Sequence, residues 1–177
     1  MQAQDLCKQI LAESATAPIT TLLNNLRILA INQNDAELDR WVQLELHGYF
    51  VENAAYKEGD VVPNWRIVGG QWRDHIGRPF ITEAHLDFIN HIPLKHGAAE
   101  LEHLADGKGI LELPDADSAK FISDKLGVRV HKFAINRSAV AQVLQHLRGE
   151  IISRTARLAQ EYEAIAENGC LVQGIFI

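Results

Sequence analysis

From Val140 onward, Leu144, Leu147, Ile151, Thr155, Leu158, Tyr162 and Ile165 recur at an average step of about 3.6 residues, the period of an α-helix. A stripe of that length demands a long apolar surface, so the remainder of the chain must be arranged to cover one side of it. Asn136 stands just ahead, with a side chain suited to accept the unpaired N–H groups of a first turn. Gly149 lies inside the stripe, where it costs about 1 kcal/mol against alanine, and this points to close approach of another backbone.

Upstream, the same reasoning predicts three shorter helices. Residues 3–12 place Leu6, Ile10 and Leu11 on one face, and SATAP breaks the pattern. Pro18 fits the start of a second helix, where a missing N–H is harmless, and Leu22, Leu23, Leu26, Leu29 and Ala30 form its stripe before it fades near Asn32. Asn34 or Asp35 caps a third helix with Leu38, Trp41, Val42 and Leu46 as its apolar face and Gly48 as its end. Residues 18–48 therefore read as a helical hairpin.

Between 49 and 82 the texture changes to Val, Ile, Trp and Phe interrupted by Gly and Pro, which predicts strands near 65–68 and 71–75 with Gly69 and Gly70 as a turn. Thr82 can cap a helix over 83–91, limited by Pro93, and a second helical stretch falls near 97–105. GILELP reads as a strand, DADSAKFISDKLG as a helix between Asp115 or Asp117 and Gly127, and VRVHKFAI as a strand. The tail NGCLVQGIFI is apolar and reads as extended. The expected fold class is α+β, with an N-terminal helical hairpin, a small mostly antiparallel sheet and a long C-terminal helix in one domain, 1–177, of which 166–177 form an apolar tail that would either bury itself or meet a partner.

Composition narrows the function. A net charge of −6 argues against a broad contact with nucleic acid, because such binding neutralises phosphates with Lys and Arg. Arg129, Lys132, Arg137, Arg148, Arg154 and Arg157 cluster late in the chain, but Glu150, Glu161 and Glu163 share the helix and predict a salt-bridged face. No apolar run approaches the roughly 18–20 residues that span a bilayer, and the first residues lack a signal peptide's charged and apolar regions, so the expected place is the cytoplasm. Cys7 and Cys170 suit reduced thiols there.

Chemical motifs are scarce. His85, His91, His96 and His103 are spaced by six, five and seven, unlike the i,i+3 or i,i+4 ligands of a helical zinc site. The D-x-D of Asp115 and Asp117 reads as helix capping, so neither a metal nor another cofactor is expected. Phosphate-loop, dinucleotide and nucleophile-elbow patterns are lacking, and both cysteines sit in terminal segments, poor places for a rigid Cys–His site.

One segment resists a purely structural account. In WVQLELHGYF, Glu45 follows Trp41 by four positions and so lies on or beside the apolar face, where it needs a donor. Trp65, Arg66 and backbone N–H groups are candidates, and a Glu45–Arg66 pair with Tyr49 packed over it would pin the hairpin to the sheet. Alternatively, Glu45, His47, Tyr49 and Arg66 surround a small pocket, with Glu45 as base and Arg66 as anion clamp.

PITTLLNNLRILAINQNDAELDRWVQLELHGY, then VVPNWRIVGG, then AVAQVLQHLRGEIISRTARLAQE, resembles the AbiTii family of bacterial abortive-infection phage defence. Its leucine-rich helix is followed by a W…E-L-N-G-Y signature, here Trp41, Glu45, Leu46, Gly48 and Tyr49, with His47 where Asn is usual. A P-x-[YW]-R strand follows as Pro63, Trp65 and Arg66, with Trp where Tyr is common. The closing helix matches at Val143, Leu144, Leu147, Arg148, Ile151 and Leu158. The resemblance spans about 1–165 and implies a role in phage defence, without an active site to carry over.

Two functions follow. One is a non-enzymatic defence module that binds a protein partner or trigger, or forms a homo-oligomer, through signature residues Trp41, Glu45, Gly48, Tyr49, Trp65 and Arg66. The other is a toxin enzyme of the nuclease or phosphate-directed hydrolase type centred on Glu45 and Arg66, with Tyr49 and with His47 or His75 near them.

Overall fold

A computed structural model describes residues 3–80 and 84–173. The architecture is α+β, with the expected helical hairpin, small antiparallel sheet and long last helix. The described chain forms two compact units: the first holds residues up to Lys57, Gly97–Ala99 and the chain from Gln145, and the second holds Glu58–His96 and Glu100–Leu144.

The first unit opens with α1 (Ala3–Glu13), whose buried residues are Leu6, Cys7 and Ile10. Pro18 stands immediately before α2 (Ile19–Gln33) and lends its carbonyl to Thr21 and Leu22 N–H. All five residues of the Leu22–Ala30 stripe are fully buried. Asn34 ends α2 in the left-handed region (φ 56°), which its short polar side chain tolerates. Asp35 then caps α3 (Ala36–His47) by accepting from Leu38 N–H at 2.9 Å. On α3 the inward face is Leu38, Val42, Leu44 and Glu45, while Trp41 and Leu46 are half-buried. Gly48, with φ 85°, closes the helix as expected.

The second unit holds the strands. A 3-10 turn, Asn64–Arg66, precedes β1 (Ile67–Gly69), so Trp65 and Arg66 lie before the strand expected over 65–68. β2 (Gln71–Arg73) follows, yet the two do not form a hairpin. β1 pairs antiparallel with β3 (His91–Pro93), and β2 pairs antiparallel with β5 (Lys132–Asn136) in a sheet ordered β2-β5-β4. Gly70 is therefore a crossing point between sheets: a Cβ there would lie 2.5 Å from the Ala134 carbonyl oxygen. Close approach, more than a turn, requires glycine here.

The helix expected over 83–91 is a 3-10 turn, Ala84–Asn90, and Thr82 lies outside the described residues. α4 (Ala98–Ala105) and β4 (Ile110–Pro114) fall where expected. Asp115 caps α5 (Ala116–Leu126) by accepting from Ser118 N–H at 3.0 Å, and Gly127 (φ 67°) ends it. β5 begins only at Lys132, because pairing with β2 and β4 starts there. Trp72 and Phe133, both fully buried and edge-to-face at 5.1 Å, centre this core.

The last helix, α6 (Arg137–Gln173), begins after Asn136, whose side chain accepts from Ser138 N–H and Oγ. Val140, Val143, Leu147, Ile151, Thr155 and Leu158 are buried, and Leu144 is half-buried. At Gly149 the expected close approach is not found: among the described residues, a Cβ there would meet nothing within 4 Å. Residues 168–173, read as extended, continue the helix, while 174–177 and the side chains of Ile165 and Cys170 lie outside the described residues.

Candidate functional site

In the first unit, the four-residue step from Glu45 to Tyr49 carries the chain over the end of α3. The Tyr49 hydroxyl donates to Glu45 Oε1 at 2.6 Å, with both residues buried. A carboxyl placed on the core side of a helix by its sequence position is thus met by a phenol from the following loop. Gly48 permits the sharp exit, since its φ of 85° is costly for any residue with a Cβ.

Asn53, which the sequence reading did not single out, fixes that loop. Its side-chain amide donates to Gly48 O at 2.6 Å and Gln43 O at 3.2 Å, and its oxygen accepts from Ala55 N–H at 3.0 Å. Arg40 Nε donates to the Ala55 carbonyl at 3.1 Å. The signal was a turn-forming Asn close behind a helix-ending Gly. Gly97 was also missed: its Cα lies so near the end of α3 that a Cβ would be 2.3 Å from the Leu46 carbonyl oxygen.

His47 is exposed and joins Gln43, Phe50, Glu52, Asn53 and Ala54 around an open groove of about 390 Å³. Trp41 takes a different role. The Arg154 guanidinium lies over its ring at 4.1 Å from the centroid and also meets Glu150 at 3.2 Å.

Arg66 belongs to the second unit and is fully buried. Its main-chain carbonyl accepts from Leu94 N–H at 2.9 Å, and its guanidinium donates to Leu94 O at 3.0 Å and His96 O at 2.8 Å. It also stands 5.3 Å from the centroid of the half-buried Trp65 ring. Arg66 thereby secures the segment that leads from β3 to α4. Burial holds the His96 imidazole below its ordinary 6.5; Glu100 opposes that shift and Arg66 adds to it. His75 sits exposed in the turn between Asp74 and Arg78, away from this cluster's hydrogen bonds.

The basic residues of α6 are largely engaged. Arg137 donates to Leu104 O at 2.6 Å and Asp106 O at 2.8 Å, and Arg148 donates to the carbonyls of Ser14 and Ala17. Arg157 meets Glu161 at 3.9 Å, the i,i+4 pair expected. Among the described residues, no three His, Cys, Asp or Glu side chains gather as a metal site, and no helix is long and apolar enough to cross a membrane.

A family model described as AbiTii matches residues 3–171. No curated protein and no solved structure matches the chain.

Proposed function

The chain belongs to the AbiTii family, which implies abortive-infection phage defence, and from that premise we propose that it works as a non-enzymatic module that binds a partner or trigger, or self-associates. The observation that carries this reading is the burial of Glu45, Tyr49 and Arg66. Glu45 and Tyr49 are hydrogen-bonded to each other inside the first unit, and Arg66 donates to the carbonyls of Leu94 and His96 inside the second. A catalytic base or anion clamp must reach a substrate, whereas these side chains hold local structure. What a partner can reach is the surface around them, with His47 on an open groove and several large apolar side chains exposed.

The test is growth of a bacterial culture after induction of the chain, with and without phage, beside Glu45→Ala at matched soluble protein. Under this reading, induction alone leaves uninfected growth unchanged, while infected cells stop before releasing phage. Arrest of uninfected cells by the wild type, lost in a soluble Glu45→Ala variant, would overturn it in favour of a hydrolase centred on that carboxyl.

A further inference from the structure

We draw no further inference here: the strongest candidate, the apolar groove of the second unit between α5, the Ala84–Asn90 turn and β3, with Phe88 and Phe121 exposed at its rim, carries nothing because nothing in the structure shows what covers it.

Discussion

At the residue scale, the buried Tyr49–Glu45 contact and the glycine beside it carry measurable consequences. Tyr49→Phe keeps the ring and removes only the donor, so it should lower stability by about 1–2 kcal/mol, read as a fall in the urea midpoint with an unchanged slope. An unchanged midpoint would show that the hydroxyl contributes nothing. Gly97→Ala should cost more than its single methyl suggests, about 1–3 kcal/mol, because the contact 2.3 Å away is backbone and cannot swing aside. His96 adds a pH dependence. Its folded pKa lies below the ordinary 6.5, so below that value the unfolded chain binds more protons than the folded one. The stability it contributes is complete above 6.5 and is lost as pH falls toward the folded value. Urea midpoints should decline on acidification from neutrality through this range, and His96→Asn should flatten the decline. Of this set, Glu45's need for a donor was legible in the sequence because a helix places it one turn after Trp41, on or beside the apolar face; that the Tyr49 hydroxyl supplies the donor was not, since Tyr49 lies past the end of α3. Gly97 was not, since its requirement comes from α3, a segment distant in the chain.

At the element scale, what could be read ahead was whatever is decided within one turn. Asp35, Asp115 and Asn136 cap helices because an Asx side chain can reach N–H groups two or three residues on, and Gly48 and Gly127 end them because they take positive φ. The strands were placed less well, because their limits depend on partners: β5 starts at Lys132 only where β2 and β4 become available. The Trp65–Arg66 pair looked like strand, yet burial of Arg66 against the carbonyls near Leu94 goes with a 3-10 turn instead. Gly149 differs from the expectation in the opposite way, since no described residue outside its own helix comes within 4 Å of where its Cβ would be. That vacancy supports a clear expectation: Gly149→Ala, in the exposed interior of α6, should stabilise the chain by up to about 1 kcal/mol and raise the thermal midpoint. A lower midpoint would mean that α6 needs a flexible joint there.

At the scale of the whole molecule, the two units differ in how the chain supplies them. The second is drawn from one nearly continuous span, 58–144, whose core of Trp72, Leu101, Ile122, Phe133 and Val140 lies wholly within that span. The first joins segments far apart in the sequence: Arg148 binds the carbonyls of Ser14 and Ala17, and Arg154 covers Trp41. A unit with its own core can fold alone, whereas one completed by distant segments has lost part of its buried surface when either end is missing. The segment 58–144 should therefore unfold cooperatively in urea and keep the near-ultraviolet circular dichroism of its packed Trp72. The segment 1–57 should not fold until 145–173 is supplied, in cis or as a separate peptide. A 58–144 fragment without a cooperative transition would show that this core depends on the first unit as well. A 1–57 fragment that folds unaided would show instead that α1–α3 bury enough against one another, and that the arginines of α6 add to a structure already formed.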